Sequence, residues 1–139
     1  MDCTVRWSSE GMSFFAETGS GHLLAMDGAP EGGGRNLAPR PMETVLAGAG
    51  GCTAYDVVVI LKKSRQDVTG CDVRLEAERA STDPKVFTRI HYRFTVRGRN
   101  LKKNVVEQAV RLSHEKYCSA TAILAKTAEI TRDLEIVEA

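Results

Sequence analysis

The sequence predicts an α+β domain in which a mainly antiparallel sheet surrounds one long buried helix. Three observations carry that expectation. Short alternating segments bounded by Gly, Pro and Ser fill the first third of the chain, an almost uncharged helical stretch follows, and two longer alternating segments come after it. The order is strands, helix, strands, helices, strand, which is the pattern of helices segregated against a sheet rather than of repeated strand–helix–strand units.

Strands are expected at CTVRW, MSFFAET and HLLAMDG, with turns at SSEG and GSG. The segment from Gly28 to Pro41 holds four glycines and three prolines in fourteen residues, too broken for regular structure, and is expected as a mobile loop that either shapes a site or serves as a floppy surface connector. Pro41 suits the first turn of a helix, where its missing N–H costs nothing, and Glu43 favours the positive end of the dipole. The helix should run to about Ser64, with Val45, Leu46, Ala49, Cys52, Val57, Ile60 and Leu61 making it apolar nearly all round. Gly48, Gly50 and Gly51 weaken it by roughly 1 kcal/mol each relative to Ala, a cost offset where another backbone approaches closely.

CDVRLEAERA and VFTRIHYRFTVRG alternate apolar and polar residues around a turn at STDPK and predict an antiparallel pair buried on one face, although the alternation slips near Phe87. A helix is expected from about Leu101 to His114 with Asn100 as its cap, then a short helix opened by Cys118 and Ser119, and a last strand in AEITRDLEIVEA.

The bulk properties narrow the function. One domain spanning 1–139 is expected, large enough for an apolar core without staples. Basic and acidic residues number 19 and 18, so no excess charge is available to neutralise a phosphate backbone, and nucleic acid is not expected as a partner. The start, MDCTVRW, has no basic flank with an apolar block, and the uncharged run from Thr44 to Leu61 is interrupted by glycines and Asp56. The expectation is a cytoplasmic protein with no membrane partner. Cys3, Cys52, Cys71 and Cys118 are too widely spaced for an oxidised framework and suit reduced thiols. His22, His91 and His114 show no ligand spacing, so neither a zinc site nor a Cys/His hydrolase is expected, and GAPEGGGRN lacks the Lys-Ser/Thr of a phosphate loop. No cofactor is expected.

Two cysteines stand out. Cys52 in GAGGCTAYDVVVILKK and Cys118 in SHEKYCSATAILAK each sit where a glycine-rich or polar lead-in becomes an apolar helical stretch, so folding can bring the two sulfurs together as a redox dyad. A lone thiol more often packs as a small hydrophobe, which is the reading given to Cys3 and Cys71. A thiol reacts as its thiolate, which helix N-terminal amides stabilise, so Cys118 is expected to be activated there, with His114 and Lys116 adding positive charge. Cys52 falls about three turns inside its helix and needs a cation from elsewhere. Arg35 and Arg40 in the loop are the nearest.

PMETVLAGAGGCTAYDVVVILKK and SHEKYCSATAIL resemble the two cysteine motifs of the OsmC/Ohr family, in its YhfA-like branch, and the resemblance extends to SGHLLAMDG, FTRIHYRFTVRG and the final strand. It implies an OsmC-like fold and an intertwined homodimer whose two central helices pack back to back, with active sites at the subunit interface. It also implies thiol-dependent reduction of organic hydroperoxides or hydrogen peroxide, with Cys52 as the peroxidatic and Cys118 as the resolving cysteine, and an external dithiol restoring the pair. Peroxidases of the family place a glutamate ten residues before the first cysteine, paired with a loop arginine. Here that position is Met42, and Glu43 lies nine residues ahead of Cys52, about 180° away on an ideal helix instead of about 80°. Arg40, or alternatively Arg35, is the matching arginine. The same departure supports a second expectation, a non-catalytic member of the fold that binds a small hydrophobic ligand in the dimer cleft.

Overall fold

The computed structural model describes residues Met1–Ala139. It falls into two compact units, Met1–Ala47 and Gly48–Ala139, each with its own three-stranded sheet.

In the first unit β1 (Cys3–Trp7), β2 (Phe14–Thr18) and β3 (Leu23–Met26) form an antiparallel meander in the order β1-β2-β3. Trp7 pairs with Phe14 and Phe14 with Met26 in a continuous register. The following loop was expected to be mobile, but it is pinned by a residue that the sequence reading passed over. Asp27 is buried, and its carboxylate accepts hydrogen bonds from the backbone N–H groups of Gly28 (2.8 Å), Leu37 (3.1 Å) and Arg35 (3.2 Å). Those donors, Leu37 first, hold its pKa below the ordinary carboxylate value. One anion thus gathers amides that a loop rich in Gly and Pro would otherwise leave to water. Pro30–Gly32 adds a single 3₁₀ turn. Gly34 closes the loop from the other side, because a β-carbon there would run into the carbonyl of Gly28.

The helix α1 (Pro41–Lys63) begins at the proline and ends on two lysines, within one residue of the expected span. It is long and apolar enough to cross a membrane by length and composition alone, yet Ala49, Gly50, Thr53, Val57 and Leu61 are buried within the chain. That set recurs at three- and four-residue spacing and defines one stripe. Expected as apolar all round and buried throughout, the helix leaves Gly48, Gly51 and Tyr55 exposed on another face, Tyr55 by 71%. Close approach occurs at one of its three glycines. A β-carbon on Gly50 would come within 2.8 Å of Leu75 Cδ1, whereas Gly48 and Gly51 have no neighbour within 4 Å.

In the second unit β4 (Asp67–Arg79) and β5 (Phe87–Arg99) are antiparallel, and β6 (Glu129–Glu138) pairs with β5 in parallel, giving the order β4-β5-β6. The alternation that slips near Phe87 marks a bulge. Glu78 pairs with Arg89 and Arg79 with Phe87, leaving Thr88 without a partner. Beyond the bulge Ile90, Tyr92, Phe94 and Val96 alternate strictly into the core and are fully buried. Each such large side chain contributes roughly 1.5–3 kcal/mol of transfer free energy. The opposite face carries cross-strand ion pairs, Arg93 with Glu76 and Asp133, and Arg97 with Asp72, which keep it in water.

The parallel crossover contains α2 (Lys103–Leu112), a wide π-helical turn (Ser113–Tyr117) and α3 (Ser119–Leu124). Asn100 does not cap α2 as expected. It adopts a left-handed conformation at φ 53°, and its N–H donates to the Glu138 carboxylate at 3.2 Å. The cap position belongs to Lys102, whose N–H donates to Gln66 Oε1 at 2.9 Å. Likewise Cys71, expected to open a strand, lies four residues inside β4.

Gly34→Ala should lower stability to urea by about 1–3 kcal/mol, since the loop backbone must move to admit the methyl group. Gly32→Ala, at a loop position with open space around it, should leave stability unchanged or raise it by up to about 1 kcal/mol. Equal effects at the two positions in equilibrium unfolding would contradict the close approach of Gly34 to Gly28.

Candidate functional site

Cys52 lies on the twelfth residue of α1 and is half-buried, while Cys118 caps α3 and is only 3% exposed. The two thiols are close enough for Cys52 to add to the raised pKa of Cys118, and both are free. The proximity comes from a junction between α1 and the turn before Cys118. Thr53, the residue after Cys52, is fully buried, and its hydroxyl lies 2.7 Å from Ser113 Oγ. Ser113 in turn donates to Asp56 Oδ2 at 2.9 Å, so the Thr53 hydroxyl donates to Ser113 and each proton has one acceptor. The π-helical turn widens the end of α2 and lets the Cys118 N–H donate to the Ser113 carbonyl at 2.7 Å.

Behind Cys118 the contacts are equally specific. Its sulfur accepts hydrogen bonds from the Thr121 hydroxyl (3.1 Å) and backbone N–H (3.4 Å), the N-cap arrangement of a short helix. Thr121 Oγ1 lies 3.0 Å from the Tyr92 hydroxyl. His114 stacks edge-on against Tyr92 and Phe94, with ring centroids 4.6 and 5.5 Å apart, and neither of its ring nitrogens has a hydrogen-bond partner.

The electrostatics reverse one expectation. The helix N-terminus was expected to lower the Cys118 pKa, but burial dominates and raises it, against the opposing hydrogen bonds from Thr121. Its presumed cationic neighbours do not act either. Lys116 sits over the Tyr117 ring, 5.3 Å from the centroid. The His114 pKa is pushed from 6.5 to about 4, chiefly by burial and then by Arg132, so its ring is neutral at physiological pH. Burial also raises the Tyr92 phenol, and the charge of either neighbouring sulfur adds to that.

Arg40 and Glu43 meet in the first unit. Glu43 Oε1 accepts from the Arg40 backbone N–H at 3.0 Å and from its guanidinium at 3.3 Å, and the backbone bond is the leading cause of its lowered pKa. Glu43 thereby forms half of a capping box at the start of α1, which accounts for the residue locally. Arg40 also donates to Asn36 Oδ1 at 3.2 Å. Arg35 has no such acid partner. Its backbone N–H goes to Asp27, and its guanidinium lies against Gly11. Of the remaining cysteines, Cys3 is exposed on β1, and Cys71 is half-buried, its pKa raised by burial and by Asp72.

Thr53, Ser113, Thr121 and Tyr92 were not singled out in the sequence. The readable signals were hydroxyl residues inside apolar helical stretches, Thr53 directly after Cys52 and Thr121 three residues after Cys118 at cap-to-third-residue spacing.

The chain has known relatives in sequence and in fold. The family described as OsmC-like protein matches residues 32–132. Protein YhfA of Escherichia coli (strain K12) is 48% identical over 139 residues, covering 100% of both chains. A hypothetical protein from Aquifex aeolicus VF5 superposes with a TM-score of 0.85 at 29% identity, over 99% of this chain and 96% of that one. An organic hydroperoxide resistance protein OsmC from Legionella pneumophila superposes with a TM-score of 0.68 at 17% identity, over 99% and 96%, a likeness of fold alone.

The His114 assignment has a measurable consequence. Its folded pKa lies below the unfolded value, so the unfolded chain binds the proton first. The stability it permits is fully present above pH 6.5 and is lost as the pH falls towards about 4. His114→Phe should flatten the dependence of thermal stability on pH in that window relative to the wild type, and parallel curves for the two proteins would rule out a buried neutral imidazole.

Proposed function

Because this chain belongs to the OsmC-like family, with residues 32–132 matching it, we propose that it is a thiol-dependent peroxidase acting on organic hydroperoxides or hydrogen peroxide through Cys52 and Cys118. The observation that carries the reading is the pair of free, adjacent thiols of unequal exposure, the outer on α1 and the inner capping α3. That asymmetry suits a division of labour in which peroxide meets Cys52 first.

In this reading the Cys52 thiolate attacks one peroxide oxygen. The O–O bond breaks, the leaving oxygen takes a proton and departs as alcohol or water, and Cys52 becomes a sulfenic acid. Cys118 then attacks the Cys52 sulfur, expelling hydroxide that leaves as water with the Cys118 proton. An external dithiol reduces the disulfide by two electrons and two protons. Arg40, oriented by Glu43, is the cation proposed to favour the Cys52 thiolate, and Arg35 is the alternative. A role in oxidative stress belongs to the same proposal through membership of the OsmC-like family, and reduced thiols suit a cytoplasmic location.

Assembly belongs to the same proposal. The exposed face of α1 with Gly48, Gly51 and Tyr55 offers small residues for close helix approach and an aromatic for burial, and is proposed to pack against a second copy about a twofold axis. Sedimentation at micromolar concentration should give a homodimer, and Gly51→Glu should shift it towards monomer. A wild-type monomer would contradict the assembly.

The second reading, a binding protein without catalysis, rests on Met42 at the family's glutamate position. One equivalent of cumene hydroperoxide separates the two. A peroxidase should lose two titratable thiols per chain, with Cys52 linked to Cys118 by peptide mapping. Cys52→Ser should abolish peroxide consumption, and Cys118→Ser should leave one turnover and a trappable sulfenic acid. No thiol loss, with an apolar fluorescent probe still bound, would favour the binding protein.

A further inference from the structure

Cys118 presents a chemical difficulty. The resolving step requires negative charge to develop on its sulfur, yet the sulfur is buried and faces a second thiol. The groups facing it are Cys52 from α1, Thr121 from α3 and, through Thr121, Tyr92 from β5. His114 beyond Tyr92 is neutral, and Arg132 of β6 acts on His114 rather than on the sulfur.

Counting protons fixes what the hydroxyls do when Cys118 ionises. A thiolate has no proton to give, so Thr121 donates its hydroxyl proton to Sγ across 3.1 Å. The Thr121 oxygen is then left as acceptor towards Tyr92, and the phenol 3.0 Å away donates to it. Both side chains are buried, Tyr92 completely and Thr121 to within 3%, so water does not compete for these protons. The backbone N–H of Thr121 is a third donor. Against them stands the charge of Cys52, which disfavours a second anion beside it.

We propose that Tyr92 and Thr121 are positioning residues that act as a one-way hydroxyl relay, stabilising the Cys118 thiolate only after Cys52 has been oxidised. The inference rests on the peroxidase reading above. Before oxidation, a Cys52 thiolate repels charge on Cys118 and keeps it as a thiol. Once Cys52 is a neutral sulfenic acid that repulsion is gone, and the relay favours charge on the inner sulfur. The S–S bond then forms as the Cys52 S–O bond breaks, Cys118 is oxidised as the Cys52 sulfenic sulfur is reduced, and the Cys118 proton leaves with hydroxide as water. On reduction, a dithiol thiolate attacks Cys52, the S–S bond breaks, and Cys118 departs as a thiolate onto the same donors before taking a proton from the dithiol.

Two measurements test the relay separately from peroxidase activity. In a full-length chain with Cys3, Cys52 and Cys71 changed to Ser, the ¹³Cβ shift of labelled Cys118 reports its ionisation without any peroxide. Thr121→Val should move the midpoint up by about one pH unit, and Tyr92→Phe by less, since Thr121 keeps its own proton. Thr121→Ser should restore the wild-type midpoint, which mere loss of packing would not predict. Tyr92→Phe should add nothing in the Thr121→Val background, because Tyr92 acts only through Thr121. In the chain with all four cysteines, rapid mixing with hydroperoxide should show disulfide closure slowed about tenfold by Thr121→Val relative to sulfenic acid formation. An unchanged midpoint in Thr121→Val, or equal and additive effects of the two substitutions, would overturn the relay. Failure of the wild type to form sulfenic acid would overturn the peroxidase reading, and with it the catalytic role of the relay, even where the midpoint shifts.

Discussion

The buried hydrogen bond between Thr53 and Ser113 joins two segments sixty residues apart, and the arrangement of the thiols depends on it. Thr53 follows Cys52 directly, and the Ser113 carbonyl receives the Cys118 amide, so one contact sets both cysteines. Asp56 completes the chain by accepting from Ser113 at a partly buried position. Such a network is worth keeping in an apolar interior only when each member is satisfied, because an orphaned hydroxyl loses its water contacts without replacement. Here the geometry satisfies all three, and the π-helical turn supplies the extra width that brings Ser113 into line.

Burial and hydrogen bonding compete around Cys118, and their balance defines its chemistry. Desolvation raises the thiol pKa despite two donors from Thr121. The raised pKa favours the protonated inner thiol, and Cys118 is also the more buried of the two, 3% exposed beside a half-buried Cys52. His114 follows the same logic. Placed against Tyr92 and Phe94, its imidazole has no partner to hold a proton and remains a neutral ring in an aromatic cluster. Sequence proximity to Cys118 suggested a cation, and the environment removes the charge.

The loop before α1 follows a different principle. Its glycines and prolines supply no regular hydrogen bonding, so order comes from a single buried acceptor, Asp27, which collects three backbone amides. The ordered loop then delivers Arg40 to the helix start, where Glu43 accepts from both its main chain and its side chain. An arginine held at a helix N-terminus lies against the positive end of the dipole, and the carboxylate of Glu43 offsets that repulsion. The pair is therefore a stable local unit in its own right.

The sequence by itself determined the element order, the long helix from Pro41, the paired strands with their irregularity near Phe87, and Cys118 as a helix cap, because each follows from local periodicity and from residues with restricted backbone geometry. It also determined the family, since long motifs around both cysteines are local features. Only the tertiary structure decided that Asp27 anchors the loop, that Asn100 does not cap α2, that α1 is buried along one stripe rather than all round, and that Cys118 is held as a thiol. These depend on which partners and how much water each group meets after folding. Desolvation in particular has no signature in a linear sequence: the residues that bury Cys118 come from α1, β5 and α3, elements separated along the chain by loops and strands whose packing local patterns do not specify.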